Sequence, residues 1–236
     1  MRVVENLEAT LEAVVRPGTR RWPRILREFP GMRHVARRIQ TWSAERAWRR
    51  AGRIPPPPPI LKQDLVRRYG RQWKLERFVE TGTYRGDMVA ATRDQFTEVV
   101  SMEIDPVLHR FACRRHMDHQ NVRLLMGDSA ELLPTIVARL REPALFWLDA
   151  HYSGEDTGRS RVDTPIETEL STILAPGQHD HVILIDDAHE FDGTGDYPSL
   201  EEVKTVVAAL RPGWICVVEA NIIRIHRPIN LYGLDH

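Results

Sequence analysis

The sequence predicts an α/β protein: a seven-stranded, mostly parallel sheet closed by an antiparallel hairpin, with a helical extension before it. Three observations carry this. From about residue 60 onward, short apolar runs rich in Val, Ile and Leu alternate with helix-spaced segments, the pattern of strands joined by helical crossovers. The last two runs, 214–220 and 221–227, follow each other with almost no spacer, so no crossover fits between them and they must pair antiparallel. Five consecutive prolines, Pro55 to Pro59, cut off a basic segment of different character that precedes the sheet.

That segment, residues 1–54, carries two helix signals. Val3, Val4, Leu7, Leu11, Val14 and Val15 recur at helical spacing until Pro17-Gly18; Val35, Ile39 and Trp42 do so again after Pro30-Gly31. Its first 53 residues hold 13 Lys/Arg against 5 Asp/Glu, a balance of +8. The apolar stripes need a packing partner, either the main domain or a second copy in a homo-oligomer. The arginines Arg16, Arg20, Arg21, Arg24, Arg27, Arg49 and Arg50, with Trp22, Trp42 and Trp48 among them, allow nucleic-acid contact as a second reading. A helical cover fits the apolar stripes better, because an arm that only binds phosphates has no use for them. Residues 55–59 read as a stiff polyproline spacer of roughly 15 Å, and 60–236 as the sheet domain.

Within the sheet domain the seven strand candidates are RFVETG (77–82), EVVSMEID (98–105), VRLLMGD (122–128), ALFWLDA (144–150), HVILIDD (181–187), WICVVEA (214–220) and NIIRIHR (221–227). Helix starts lie between them. Asp105-Pro106 offers an N-cap and a first-turn proline, Ser129 a cap, and Thr164 to Glu167 and Ser199 to Glu202 two capping boxes. Apolar stripes follow the boxes at Ile166, Leu170, Ile173 and Leu174 and at Val203, Val206, Val207 and Leu210.

Composition excludes other classes. The chain has 236 residues, 33 Lys plus Arg balanced by 33 Asp plus Glu, and 42% hydrophobic residues, so disorder and collagen-like repeats are ruled out. Cys113 and Cys216 form no C-x-x-C pair and read as reduced thiols. Glu5, Glu8 and Glu12 interrupt what would be the apolar stretch of a signal peptide, and no apolar run approaches the roughly 18 residues of a membrane span. The expectation is a cytoplasmic protein with no membrane contact.

In an open α/β sheet the ligand sits outside the carboxyl ends of the strands. Here those ends are acidic in succession. The first gives Glu80-Thr81-Gly82-Thr83-Tyr84-Arg85-Gly86, a turn whose glycines let a ligand approach the backbone. The second gives Glu103-Ile104-Asp105, where a carboxylate can accept from both hydroxyls of a ribose. The third gives Gly127-Asp128-Ser129, the fourth Asp149-Ala150-His151, and the fifth Asp186-Asp187. Singly each has a structural explanation as a cap or turn; Asp105 reads as the N-cap of the helix it precedes.

This order of motifs resembles the class I methyltransferases that use S-adenosylmethionine, over roughly residues 60–227. The resemblance implies a Rossmann-like fold with the seven-stranded sheet and closing hairpin of that class. It places Glu80, Thr81, Gly82, Thr83 and Gly86 at the amino-acid end of S-adenosylmethionine, Glu103 and Ile104 at the ribose, Asp128 and Ser129 at the adenine, and Asp149 beside the cofactor. A nicotinamide cofactor fits less well, because the turn is not G-x-G-x-x-G.

E-T-G-T-Y-R-G followed by L-D-A-H and I-D-D is similar to the metal-dependent O-methyltransferases of the macrocin and sugar type. That resemblance implies a Mg²⁺ ion held by Asp149, Asp186 and Asp187, and a small-molecule hydroxyl acceptor such as a sugar or natural product. Three carboxylates on adjacent strand ends repel one another unless a cation relieves them. The other reading has Asp187 capping the Ala188 to Gly193 loop. For the proton of the hydroxyl, His151 is the candidate base and His189 its competitor. Residues Tyr152 to Asp163 read as a lid or an ordinary loop, and Asp192 to Tyr197 as the facing wall. An RNA methyltransferase and a non-catalytic cofactor-binding module are the rival functions.

Overall fold

The computed structural model describes residues 30–149, 166–194 and 197–228, with side chains from residue 36 on. The first predicted helix and its arginines, the tip Ala150-His151, the lid segment 152–163, the cap at Thr164 and Asp196 lie outside the described residues. The chain divides into two compact units, one ending at Arg46 and the other running from Ala47. Helix α1 (Pro30–Arg50) begins at the proline itself, which gives up no hydrogen bond in a first turn. Its Trp42 remains 43% exposed, with the Arg46 guanidinium over the ring.

In the larger unit, α2 (Pro59–Gln72) leads into β1 (Arg77–Thr81), α3 (Asp87–Thr92), β2 (Glu98–Glu103), α4 (Pro106–His116), β3 (Val122–Met126), α5 (Ser129–Val137) and β4 (Ala144–Leu148). Then come α6 (Ile166–Ile173), β5 (Val182–Ile185), a 3₁₀ turn (Ala188–Glu190), α7 (Leu200–Leu210), β6 (Ile215–Glu219) and β7 (Ile222–His226). The strand order is β3-β2-β1-β4-β5-β7-β6. β1 to β5 run parallel, and β7 is antiparallel to both β5 and β6.

Each strand lies where its apolar run was read, but ends one or two residues sooner. Asp105, Asp128, Asp149, Asp186 and Asp187 lie beyond the hydrogen-bonded ladder, whereas Glu80 and Glu103 stay within it, paired with Ser101 and Met126. Pro59, read as spacer, is the first residue of α2, because a proline's fixed φ and missing N–H suit a helix start. Asp128, not Ser129, is the N-cap of α5: its carboxylate accepts from Ala130 N at 2.9 Å, and Ser129 is the first helical residue. Asp105 caps α4 as expected, accepting from Val107 N and Leu108 N, and the Ser199–Glu202 capping box is complete.

The central strands are buried on both faces, which explains their unbroken apolar runs. On one face Val79, Phe146, Leu148, Ile183, Ile185 and Ile223 pack with Leu133 and Val137 of α5, Leu170 and Ile173 of α6, and Val203 and Val207 of α7. On the other, Phe78, Leu145, Trp147, Val182 and Leu184 pack with Leu65 and Val66 of α2 and Val89 of α3. Neighbours in sequence thus fall in opposite cores, as the two-residue period of a strand requires. Each fully buried side chain of this size contributes roughly 1.5–3 kcal/mol. Both cysteines are free; burial pushes the Cys216 thiol up to about 11. Among the described residues no helix is long and apolar enough to cross a membrane.

Candidate active site

The parallel order brings the carboxyl ends of β2, β1, β4 and β5 side by side, and the acids read from the sequence line that edge. At β1 the chain turns sharply: Gly82 has φ +80°, Tyr84 +48° and Gly86 +70°. Four of the turn's N–H groups are already paired. Gly82 N and Thr83 N donate to Met102 O, Tyr84 N donates to Glu103 Oε2 at 2.6 Å, and Gly86 N donates to Thr83 O. These four amides are therefore not free for a ligand. Gly86 is required on a second count, because a Cβ there would lie 2.7 Å from His116 Nε2. His116 accepts from Arg93 at Nδ1 (2.9 Å), so its proton sits on Nε2, which donates to Gly86 O at 3.1 Å. Burial holds its pKa below the ordinary histidine value.

Glu80 is buried. Ser101 Oγ donates to its Oε2 at 2.5 Å and is itself paired with Thr83 Oγ1. Burial pushes the Glu80 carboxyl well above the ordinary range; the Ser101 bond opposes this, and the charges of Asp149, Glu103 and Asp87 add to it. Glu103 is 6% exposed, with Oε1 accepting from Asp105 N at 2.9 Å and Oε2 from Tyr84 N. Burial raises its pKa against those two backbone bonds. Each oxygen keeps a second lone pair for a further donor. Ile104 follows directly in the bend after β2. Asp128 is engaged as the cap of α5, and Ser129 is buried.

At the next two strand ends, Asp149 N donates to the main-chain and hydroxyl oxygens of Thr81, fixing β4 to β1. Asp186 N donates to Leu148 O. Asp149, Asp186 and Asp187 bring one carboxylate oxygen each to within 4.8 Å of one another. Asp187 adopts φ +49°, a left-handed conformation that aspartate tolerates better than most residues. Its N–H donates to Asp186 Oδ1 at 2.8 Å.

Two residues that sequence reading did not single out complete this cluster. Lys62 of α2 donates from Nζ to Asp186 Oδ2 at 2.5 Å and reaches Asp187 Oδ1 at 3.5 Å. Burial works to lower the Lys62 pKa, but the charge and hydrogen bond of Asp186, then Asp187 and Asp149, outweigh it and hold the ammonium above its ordinary value. Burial raises the Asp186 carboxyl although Lys62 pulls it back, and Asp187 adds to the rise. A compositional signal was available: the chain has only three lysines among its 33 basic residues, and one follows the prolines by three positions. Asn221, in the β6–β7 turn, donates from Nδ2 to Asp187 Oδ1 at 3.2 Å. Its Oδ1 accepts from His189 N, and its carbonyl from Ala188 N.

His189 places Nδ1 3.1 Å from Asn221 Oδ1 and Nε2 3.2 Å from Glu190 Oε1. His151 lies outside the described residues. In the facing loop, Asp192 accepts from Thr194 N and Oγ1 in a closed local turn, and Tyr197 packs edge-on to Phe191.

No protein-family model and no curated protein matches the sequence. Solved structures do. The chain is similar to the methyltransferase PaMTH1 of Podospora anserina bound to SAH, at 18% identity and TM-score 0.51, over 97% of this chain and 96% of that one. It is similar to the O-methyltransferase TomG of Streptomyces achromogenes, involved in tomaymycin synthesis and solved with SAM, at 14% identity and TM-score 0.54, over 94% and 96%. It is similar to an O-methyltransferase of Bacillus cereus in complex with SAH, at 14% identity and TM-score 0.51, over 94% and 97%. At these identities the likeness is one of fold.

Proposed function

We propose that this chain, whose fold is shared with S-adenosylmethionine-dependent methyltransferases, is a Mg²⁺-dependent O-methyltransferase acting on a hydroxyl of a small molecule such as a sugar or natural product. The observation that carries this is the carboxylate cluster Asp149, Asp186 and Asp187, with its oxygens within 4.8 Å of one another, on the strand edge that also bears Glu80 and Glu103. The donor set suits the ion. Carboxylate oxygens are the hard ligands Mg²⁺ takes, and the ammonium of Lys62 against Asp186 and Asp187 is in keeping with a site that attracts positive charge. TomG and the Bacillus cereus protein are O-methyltransferases solved with SAM or SAH, which supports the same chemistry here.

When bound, S-adenosylmethionine supplies an electrophilic methyl carbon and Mg²⁺ a Lewis acid that favours the ionised hydroxyl. The protein's own part is alignment and charge. Glu103, anchored by two backbone N–H groups, retains lone pairs for the ribose hydroxyls. Gly82 and Gly86 give the β1 turn the positive φ angles that shape the proposed amino-acid end, and Thr81 and Thr83 tie that turn to the end of β4 and to Ser101. Asp128 and Ser129, with Ile104, form the proposed adenine end. As the C–S bond breaks and the C–O bond forms, the hydroxyl proton must leave. His151 is its proposed acceptor, with His189 the competing candidate.

Calorimetric titration of the full chain with S-adenosylmethionine should give one site. Asp186→Asn should keep that uptake and abolish transfer of labelled methyl to vicinal-diol and saccharide acceptors with Mg²⁺ present. Turnover that survives a chelator overturns the metal; label that moves only to an RNA included in the panel overturns the acceptor class; absence of cofactor uptake overturns the whole reading.

A further inference from the structure

The Lys62–Asp186 pair joins α2 to the end of β5 across 124 residues of sequence. Lys62 lies in the first turns of α2, directly after Pro58-Pro59, and its side chain is 15% exposed while that of Asp186 is 1% exposed. Both oxygens of Asp186 are in use: Oδ1 accepts from Asp187 N and Oδ2 from Lys62. On Asp187, Oδ1 accepts from Asn221 at 3.2 Å and meets Lys62 at 3.5 Å. A partly buried ammonium thus stands at two of the oxygens that this cluster offers a cation.

A cation bound through Asp186 Oδ2 would come close to the Lys62 ammonium. A Mg²⁺–oxygen bond is about 2.1 Å, so an ion sharing Asp186 Oδ2 with the 2.5 Å Lys62 bond would lie within about 4.6 Å of the ammonium. Two positive charges that close repel each other. A flexible lysine stem resolves the conflict by swinging out; arginine, planar and forked, would grip the carboxylate in two places and leave less readily.

We propose that Lys62 is a tethered counter-ion that competes with the divalent metal for the Asp149–Asp186–Asp187 cluster, so that metal entry expels the lysine and couples loading of the site to the position of α2's first turns. Lys62 is a positioning residue here, not a catalytic one. The inference rests on the metal reading above and adds a specific residue to it.

Calorimetric titration of Mg²⁺ and Mn²⁺ into the full-length wild-type chain and into Lys62→Met, which keeps the apolar stem and removes the charge, decides the matter. The expected result is metal binding at least tenfold tighter in the variant. Equal or weaker binding in Lys62→Met, with the wild type still binding metal, overturns the competition and leaves the metal site standing. Absence of metal binding to either protein overturns both. Should Lys62→Met fail to fold, the wild type answers through acylation footprinting read by mass spectrometry, with Lys74 as internal reference. Saturating Mg²⁺ should raise the labelling of Lys62 several-fold relative to Lys74, and an unchanged ratio overturns the expulsion.

Discussion

Asn221 Nδ2 donates to Asp187 Oδ1 at 3.2 Å across 34 residues of sequence, fastening the turn of the terminal hairpin to the acidic end of β5. The turn has Ala220 and Asn221 both at positive φ, +54° and +63°, as two-residue hairpins of the tightest kind require. The hairpin is therefore a brace for the carboxylate cluster as well as an end to the sheet.

Asn221→Gly tests that brace. Glycine adopts the same positive φ without cost, so the turn should persist while the hydrogen bonds to Asp187 and from His189 N disappear. Loss of a partner that orients a metal ligand typically costs about 10–100-fold in metal affinity. Calorimetry with Mg²⁺ should show a drop in that range with a change of no more than about 1 kcal/mol in unfolding free energy.

Gly86→Ala should destabilise the fold and weaken S-adenosylhomocysteine binding together. The substitution forces alanine to φ +70° and sets a Cβ 2.7 Å from His116 Nε2. Gly177→Ala is the matching control, at φ +84° with nothing within 4 Å of the added Cβ. The control should lose about 1 kcal/mol from backbone conformation alone. Gly86→Ala should lose roughly 1–3 kcal/mol more, measured by denaturant unfolding; equal losses would remove the steric argument.

Glu103→Gln should reduce cofactor affinity at least tenfold. The two oxygens of Glu103 accept from Tyr84 N and Asp105 N, and an amide must turn its NH₂ toward one of these donors, leaving two hydrogens facing each other. A buried donor without an acceptor costs about 1–3 kcal/mol. Thermal unfolding should record that loss without ligand, and titration with S-adenosylhomocysteine the weaker binding.

His181 sets an acid limit on stability. Ala144 N donates to its Nδ1 at 3.1 Å, and burial, with His179 and Arg211 nearby, lowers its pKa to about 4. In the unfolded chain the value returns to about 6.5, so between these limits the unfolded state binds the extra proton. Stability contributed by the neutral ring is complete above about pH 6.5 and is lost as pH falls toward 4, by up to about 3 kcal/mol. His181→Asn keeps an acceptor near the Nδ1 position and does not titrate. Urea unfolding from pH 7 to 4 should fall less steeply in the variant than in the wild type, and parallel curves would remove His181 as the cause.

The sequence alone determined the architecture and the acidic edge. Strands announce themselves through apolar runs, caps through Asp105 and Ser199, and the hairpin through the lack of any spacer after Glu219, because each of these is a short-range property of neighbouring residues. The positions of Glu80, Glu103, Asp149, Asp186 and Asp187 at strand ends followed directly. Local reading went astray at Ser129 and Pro59, where two adjacent residues each satisfied the same rule and only backbone geometry chose between them.

Tertiary structure decided what those acids meet. Lys62 reaches Asp186 across 124 residues, and Asn221 reaches Asp187 from a turn whose sequence reads only as a hairpin tip. Neither contact leaves a periodic trace, because a long side chain's destination depends on how α2 and the hairpin pack on the sheet. Burial then shifts the ionisation of Lys62, Glu80 and Asp186, since the energy of a charge depends on the water removed and the charges brought near once the chain has closed around it.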